Sequence, residues 1–368
     1  MNDMKKNCWL KVVALCAAAV IGVLALLVLV PTSPALMVDS PLTLWSASVD
    51  DWGEPAGLRI TAYSVGIAMA AAAALIMTAA AAKLCGRSYA EGLVLGLVSG
   101  ACALVCSHLL FCVVRWGYII NDLGGTAAFL VTFWEGGYTM YGAILGGLLG
   151  AFVFAMIRRQ PVMSCFDTIV PGMLFLVAAG RYAEQYTLQG MASYRAAEAL
   201  SMLPFASVGE WGDPMLKVYA YEAIVALVAL GFWLYSFWKK APAGRAAENG
   251  LIVLSTWQIM MESWRGDELI KFGFVCLNML MAAAVLVAIL VPRIVRTVKA
   301  QGWKPWTIAR IVIFLAAIGI VIAIEFALDK SDINNTLLYA VMTAAILGMT
   351  ASALIGDGRS EAREKGMD

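Results

Sequence analysis

Long apolar runs alternate with short polar segments along almost the whole chain. A helix needs roughly 20 mostly apolar residues to cross the hydrocarbon core of a bilayer. Ten runs meet or approach that length: 11–30, 59–82, 91–114, 136–157, 167–188, 217–238, 249–264, 272–292, 307–327 and 336–355. Because the strands of a β-barrel would show short alternating segments instead, we expect an all-α polytopic membrane protein.

Lysine and arginine concentrate in every second segment between the apolar runs. This alternation predicts ten spans with both termini in the cytoplasm. The first run, with its basic start, is open to a second interpretation as a cleaved signal peptide, but its apolar stretch is longer than usual and favours an uncleaved anchor. The two longest outer segments, 31–58 and 188–216, are predicted to form an external cap.

Composition narrows the class further, since 62% of the residues are hydrophobic and only 14% are charged. Soluble domains average about 45–50% apolar and about 25% charged residues, so an extracellular disulfide scaffold, a nucleic-acid binder and a disordered tail are all excluded. A single histidine disfavours triad and multi-histidine zinc enzymes. Cys102, Cys106 and His108 share one run and allow a metal site, but side-chain packing is favoured because no carboxylate lies nearby.

Two runs carry glycines at four-residue spacing, which places them on one helix face. They are Gly92, Gly96 and Gly100 in the run 91–114 and Gly142, Gly146 and Gly150 in the run 136–157. Such faces let membrane helices pack closely. The second series also continues from a turn containing Gly136 and Gly137 that enters the helix from the outer side, and its backbone N–H groups would suit an anion such as phosphate.

Ionisable residues inside membrane spans are costly and mark functional sites. Here they are Arg181, Glu184 and Glu222. Arg181 and Glu184 are spaced to form an ion pair on one helix face, or the guanidinium could hold a phosphate in a lipid-accessible cavity. Glu262 and Arg265 repeat this spacing at the outer end of a short span, where a solvated helix end and a functional role are both open.

Around these residues the sequence resembles the prolipoprotein diacylglyceryl transferase family. WEGGYTMYGAILGG at 134–147 is similar to that family's W-x-G-G-M-S-F-H-G-G-L-L-G pattern. Asp167, Pro171-Gly172 and Gly180-Arg181 are similar to its D…PG…GR-x-x-N signature.

Three further motifs follow the same order. Tyr221-Glu222 resembles the family's tyrosine–glutamate pair, and 262–267 resembles its E-F-F-R-x-x-D run. Tyr63 stands where the family has a tyrosine near the start of its first core helix. The resemblance covers 59–292 and implies a seven-helix transferase-like core. Residues 1–58 would then be an N-terminal anchor with its external loop, and 293–368 would be two extra transmembrane helices with a cytoplasmic tail.

The family moves the diacylglyceryl group of phosphatidylglycerol to the lipobox cysteine of a preprolipoprotein signal peptide, at the bacterial plasma membrane. Glycerol phosphate is released, and the resemblance implies no cofactor. The implied catalytic residues are Arg181, Tyr141, Glu222 and Tyr63. The implied substrate-binding residues are Gly136, Gly137, Gly142, Glu184, Tyr221, Gln258, Glu262 and Arg265.

The chain departs from the family pattern at several of these positions. Tyr141 replaces the motif histidine, Glu184 replaces an asparagine and Gln258 replaces an arginine. With a reference pKa of about 10, tyrosine is a weaker base than histidine. Two alternatives therefore remain beside the transferase: a paralogue that binds or modifies another anionic phospholipid, and a small membrane transporter or scaffold.

Overall fold

The computed structural model describes residues 43–49, 55–121, 130–131, 137–187, 194–195, 206–208, 214–265, 271–272, 275–330 and 334–354. The helices are α1 (Ala62–Leu84), α2 (Tyr89–Val114), α3 (Trp116–Asn121), α4 (Met140–Arg158), α5 (Val162–Ala183), α6 (Val218–Trp238), α7 (Arg245–Trp264), α8 (Leu277–Gln301), α9 (Pro305–Lys330) and α10 (Asn335–Leu354). The strands are β1 (Thr43–Val49), β2 (Pro55–Thr61), β3 (Tyr194–Arg195), β4 (Ala206–Val208), β5 (Pro214–Leu216), β6 (Lys271–Phe272) and β7 (Val275–Cys276).

Within these ranges, eight helices are long and apolar enough to cross a membrane: α1, α2, α4, α5, α6, α8, α9 and α10. This confirms the prediction of an all-α polytopic membrane protein. The predicted run 249–264 is also helical and lies within α7. Polar side chains such as Asn249 and Gln258 make its mean hydropathy lower than that of the eight apolar helices. Most of α7 is nevertheless buried. The predicted first span, 11–30, lies outside the described residues.

Local hydrogen bonds explain where the first two helices begin. Thr61 caps α1 by accepting a bond from the Ser64 backbone N–H at 3.1 Å, and the Ser64 hydroxyl accepts one from the Thr61 N–H at 3.0 Å. Ser88 and Glu91 form the same reciprocal arrangement at the start of α2. These capping boxes satisfy backbone donors that a helix start leaves without an intrahelical partner.

Several helix boundaries differ from the predicted runs. Helix α4 begins at Met140 rather than at 136, and α5 begins at Val162, so that Asp167 lies inside the helix and is buried. Helix α8 continues past Pro292 to Gln301. The extension is stabilised by the ion pair between Arg293 and Glu248 of α7 at 2.6 Å, a contact between segments distant in the sequence.

The segments between helices contain short strands that the apolar pattern did not predict. Strands β1 and β2 pair antiparallel, with Thr43 opposite Thr61. Strands β3, β5 and β4 form a three-stranded sheet in that order, and β6 pairs with β7. The first two of these sheets lie in the segments predicted as an external cap, a role that stays a prediction.

The chain divides into two units. The first comprises residues 1–192 and 217–230, and therefore includes α1–α5 and the beginning of α6. The second comprises residues 193–216 and 231–368, and includes the rest of α6 with α7–α10. The predicted division into 1–58, 59–292 and 293–368 stays a prediction.

In the first unit, the glycine face of α4 packs directly against α2. A Cβ atom built on Gly146 would lie 2.5 Å from the Cys102 carbonyl oxygen and 2.6 Å from Cys106 Cβ. One built on Gly150 would lie 2.7 Å from Ser99 Cα. The packing interpretation therefore holds along this face, because a side chain there would push the helix backbones apart.

In the glycine series of α2, two of the three glycines pack closely against another helix. A Cβ atom on Gly92 would lie 2.7 Å from Ala79 Cα, and one on Gly96 would lie 2.8 Å from Leu75 Cδ2, both on α1. Gly100 has nothing within 4 Å of that position. Two of its three glycines thus serve the contact between α1 and α2, and the third does not.

This contrast predicts opposite results for one substitution at two sites. Gly146→Ala should destabilise the protein by about 1–3 kcal/mol, because the methyl group would overlap the α2 backbone. Gly100→Ala should leave stability unchanged or raise it, since alanine is the better helix former. Thermal unfolding of both variants in one detergent measures the difference, and equal melting temperatures would contradict this packing.

Candidate functional site

Arg181, near the C-terminal end of α5, is held between two carboxylates. Its Nη1 group donates to Glu184 Oε1 at 2.6 Å, and its Nε lies 3.5 Å from Glu222 Oε2. The side chains of Arg181 and Glu184 are each 11% exposed, and that of Glu222 is fully buried. Helix α5, the 3₁₀ turn Glu184–Tyr186 that follows it and the beginning of α6 therefore bring together all three ionisable residues that the sequence placed inside membrane spans.

This arrangement includes the ion pair that the spacing of Arg181 and Glu184 suggested, and it adds Glu222 as a second acceptor. Buried charges cost several kcal/mol each unless opposite charges and hydrogen bonds compensate them. One guanidinium here serves two carboxylates, so this trio has a net charge of −1 when all three groups are ionised. We call Arg181, Glu184 and Glu222 the charged trio.

The start of α4 lies beside the charged trio. Met140 Sδ is 3.5 Å from Arg181 Nη2. The next residue, Tyr141, is fully buried. This contact places the beginning of α4 next to the guanidinium. The backbone N–H groups of the helix start and Arg181 could bind one anion together only if they lie this close.

Three hydrogen bonds between Ser107 and Thr139 hold the start of α4 against α2. The Ser107 hydroxyl donates to the Thr139 carbonyl oxygen at 2.7 Å and accepts from the Thr139 backbone N–H at 2.8 Å. The Thr139 hydroxyl donates to the Ser107 carbonyl oxygen at 3.2 Å. A Cβ atom on Gly142 would lie 2.7 Å from Ser107 Cα, so glycine is required for this close approach.

His108, next to Ser107, holds the turn before α4. Its Nδ1 lies 3.0 Å from the Gly137 carbonyl oxygen, and since a carbonyl only accepts, Nδ1–H is the donor. The imidazole ring also contacts Tyr138, with ring centroids 5.6 Å apart. Gly137 has φ +76°, a conformation that favours glycine. Gly136 lies outside the described residues.

These contacts give the His108 side chain partners in the turn before α4. Within the described ranges, no three His, Cys, Asp or Glu side chains are placed to hold a metal ion. Cys102 and Cys106 instead lie against Gly146 of α4. Burial raises the pKa of Cys85, which follows α1, so this thiol is a poor nucleophile at neutral pH.

Replacing His108 by Phe is expected to loosen the turn, because the Gly137 carbonyl would lose a partly buried hydrogen bond worth about 0.5–1.5 kcal/mol. The matched control is Leu109→Phe on the same helix, where the native side chain is exposed at the helix surface. Thermal unfolding and hydrogen exchange at the start of α4 measure the effect. If both variants behave alike, His108 does not stabilise the turn.

The two tyrosines predicted for the site lie in different surroundings. Tyr63 packs against the apolar cluster of α1 and α5 that includes Phe175 and Ala179. Tyr221 is half-buried on α6, immediately before Glu222. Their predicted roles in orienting a substrate stay predictions.

The remaining predicted residues, Gln258, Glu262 and Arg265, belong to the second unit. Glu262 Oε1 accepts a bond from Gln258 Nε2 and another from Asn278 Nδ2, each at 2.8 Å. Glu262 is 1% exposed, so the interpretation as a solvated helix end is wrong for this carboxylate. Arg265, half-buried, ends α7 with its backbone N–H 3.3 Å from the Glu262 carbonyl oxygen.

Sequence reasoning missed two contributors to these sites. Asn278 is an amide at the beginning of an apolar span, and this polar residue was the available signal for it. Met140 carried no signal, because methionine is common in membrane helices and its contact with Arg181 depends on how α4 and α5 pack.

Comparison with known proteins supports the resemblance to the family. A family model described as prolipoprotein diacylglyceryl transferase matches residues 55–295. A phosphatidylglycerol–prolipoprotein diacylglyceryl transferase of Acaryochloris marina is 26% identical over 187 residues, which are 48% of this chain and 64% of that protein. One of Listeria monocytogenes is 24% identical over 134 residues, 35% of this chain and 47% of that protein.

A third similar protein, from Symbiobacterium thermophilum and of the same name, is 23% identical over 166 residues, 43% of this chain and 60% of that protein. The chain thus spans between about half and two thirds of the length of these relatives. The family model, in contrast, matches well over half of this chain. The protein therefore belongs to the prolipoprotein diacylglyceryl transferase family.

Proposed function

We propose that this chain transfers the diacylglyceryl group of phosphatidylglycerol to the lipobox cysteine of a preprolipoprotein signal peptide, in a bacterial plasma membrane. The observation that carries the proposal is the buried Arg181, next to the start of α4, inside the segment that matches the family. A guanidinium and a glycine-rich helix start are the groups that bind a phosphate ester most readily.

In the proposed reaction, the cysteine sulfur attacks the glyceryl carbon that carries the phosphate ester. The new carbon–sulfur bond forms as the carbon–oxygen bond breaks, and glycerol phosphate leaves with the electron pair. Negative charge therefore moves from the sulfur to the departing phosphate. Arg181 is proposed to stabilise that charge, together with backbone N–H groups of the turn at Gly137.

The attacking thiol must lose its proton before or during this step, because the thiolate is the nucleophile. Glu222 and Glu184, which both contact Arg181, are proposed as the carboxylates that accept it. A proton delivered to either carboxylate would weaken its hold on Arg181 and release the guanidinium toward the phosphate. Tyr141 and Tyr63 are proposed to orient the substrate, and Gly142 allows the close approach of α4.

The second unit is proposed to contribute to substrate binding through Gln258, Glu262 and Arg265. In the family pattern an arginine stands at the position of Gln258. Here the Gln258 amide donates to Glu262, which is the contact that a guanidinium could also make. The substitution keeps a donor and removes a positive charge, so we expect weaker electrostatic attraction for the lipid phosphate.

The same charged trio supports a second candidate, a family member that binds an anionic phospholipid without transferring it. Two carboxylates already share Arg181, and they reduce the attraction that its charge offers a phosphate. Tyr141 also replaces the motif histidine. Binding of phosphatidylglycerol without any labelled thiol would identify this candidate.

A complementation experiment tests the proposal. In a bacterium depleted of its own transferase, expression of this chain should restore growth and the membrane attachment of lipoproteins. Expression of Lys299→Gln, an exposed change on α8, should restore both equally, whereas Tyr141→Phe should restore less. Stable membrane expression of the wild-type chain with no lipoprotein modified would overturn the proposal.

A further inference from the structure

Helix α10 lies beyond the part of the chain that matches the family. The match ends at residue 295, and α10 begins at Asn335. Family membership therefore assigns this helix no role. Its buried apolar side chains recur every three or four positions and so share one face: Tyr339, Met342, Ile346, Met349 and Ala353. This face is therefore packed against protein along the whole length of the helix.

Part of that packing is against α7, which carries the proposed substrate-binding residues of the second unit. Three side chains of α10 contact α7 at successive levels along its axis. The pairs are Thr350 and Thr256, 3.0 Å apart between hydroxyl oxygens; Thr343 and Met260, 3.7 Å apart from hydroxyl to Sδ; and Tyr339 and Ser263, 3.3 Å apart from hydroxyl to carbonyl oxygen. Because the residue numbers fall along α10 as they rise along α7, the two helices run antiparallel.

Tyr339 holds the C-terminal end of α7. The Ser263 carbonyl is one of the last four of that helix, which a helix leaves without an intrahelical partner, and the Tyr339 hydroxyl donates to it. The tyrosine ring also meets the Trp264 indole edge to face, with ring centroids 6.1 Å apart. Ser263 and Trp264 are the two residues between Glu262 and Arg265. One side chain of α10 thus contacts the segment that joins these two charged residues.

The residues of α7 that contact α10 lie opposite those proposed to bind substrate. At 3.6 residues per turn, Thr256, Met260 and Ser263 fall within about 60° of one another around the helix axis. Gln258 and Glu262 lie on the other side, about 150° away. There the Glu262 carboxylate accepts the bond from Asn278 of α8. Helix α7 is therefore held between α8, on the side of Glu262, and α10 behind it.

The other end of α7 is fixed separately. Arg293 of α8 donates to Glu248 at 2.6 Å and to Asn249 at 2.7 Å, both on α7, and to the Ala353 carbonyl oxygen of α10 at 3.1 Å. These bonds join the same three helices about four turns away from Ser263. A substitution at Tyr339 leaves them in place, so its effect should be confined to the C-terminal end of α7.

We propose that α10 is a positioning element for the proposed substrate-binding residues, and that Tyr339 sets the orientation of Glu262 and Arg265. The inference rests on the proposed function, in which these two residues bind phosphatidylglycerol. With Tyr339 bonded to it, the last turn of α7 keeps the Glu262 carboxylate toward α8. Without that bond the turn opens more often, because helix ends open at the lowest free energy, and both side chains leave their places.

Two measurements on the full chain in one detergent test this proposal. They are hydrogen exchange of the α7 backbone and the affinity for dioleoyl phosphatidylglycerol. Tyr339→Phe removes the hydroxyl and keeps the ring. Amides at 260–265 should exchange about threefold to tenfold faster than in the wild-type chain, in line with the loss of one neutral hydrogen bond. The lipid should bind about threefold more weakly, because fewer chains hold the binding-competent orientation.

Thr350→Val is the matched control. It removes a hydroxyl from the same face of α10 but at the level of Thr256, in the middle of α7. Exchange at 260–265 and lipid affinity should both equal those of the wild-type chain. Tyr339→Leu, which also removes the ring contact with Trp264, should exceed Tyr339→Phe in both measurements. The melting temperature shows whether each variant is folded, and Tyr339→Phe decides the case if Tyr339→Leu is not.

Three results would overturn the proposal: wild-type exchange at 260–265 in Tyr339→Phe, faster exchange with unchanged lipid affinity, or equal weakening of lipid binding by Thr350→Val. The last would show a general loss of packing. A wild-type chain that binds phosphatidylglycerol but transfers nothing would contradict the proposed transfer alone, and the affinity comparison would still decide the role of Tyr339. A wild-type chain that does not bind the lipid would overturn both.

Discussion

Arg181→Gln is expected to lower both stability and transfer, and a second substitution should separate the two effects. The single variant removes the ion pairs of Arg181 with Glu184 and with the fully buried Glu222, which should cost about 3–5 kcal/mol. Activity should fall at least about a hundredfold, the usual loss when a group that stabilises transition-state charge is removed.

The double variant Arg181→Gln/Glu222→Gln keeps two amides and removes the fully buried charge of Glu222, while Glu184 keeps its own. It should recover part of the lost stability, because neutral amides can bond to each other where Arg181 and Glu222 did, and it should stay inactive. Thermal unfolding and a transfer assay on the same samples measure both quantities. Restored activity in the double variant would show that Arg181 has a structural role only.

Glu262→Leu is expected to have the next largest effect. The substitution removes the shared acceptor of Gln258 and Asn278 in a buried site, at about 1–3 kcal/mol for each buried hydrogen bond lost. Transfer should fall with it if the second unit binds substrate as proposed. The readouts are the melting temperature and the concentration of phosphatidylglycerol at half-maximal rate.

Glu262→Gln is the matched control, because it keeps one acceptor oxygen at nearly the same place. Its stability should lie close to that of the wild-type protein, while its phosphatidylglycerol dependence reports on the lost charge. Equal destabilisation by Leu and Gln would show that the two amides do not depend on this oxygen.

The helices were predictable from the sequence because a bilayer imposes one requirement, about 20 apolar residues that satisfy their own backbone hydrogen bonds. The residues at which the helices begin and end were less predictable from the sequence. Helix α8 runs past its apolar segment since Arg293 is paired with Glu248, and α7 is helical despite its polar residues because protein surrounds most of it. Both outcomes depend on neighbours that local patterns do not contain.

Some contacts of the candidate site could likewise be predicted from the sequence, and others could not. The pair of Arg181 and Glu184 could be anticipated from helical spacing, because residues three apart share a face. Glu222 comes from a distant helix, and only the resemblance to a family placed it nearby. The role of His108 was missed because its partner is a backbone carbonyl at Gly137, and no side-chain pattern marks such a bond.

The most direct test of the proposed transfer is the mass of a lipobox peptide after incubation with the purified chain and phosphatidylglycerol. We expect a diacylglyceryl group in thioether linkage on the cysteine, with glycerol phosphate released in equal amount, and neither product from Arg181→Gln/Glu222→Gln. An unmodified cysteine, under conditions in which an established family member modifies it and this chain binds phosphatidylglycerol, would contradict the proposed transfer.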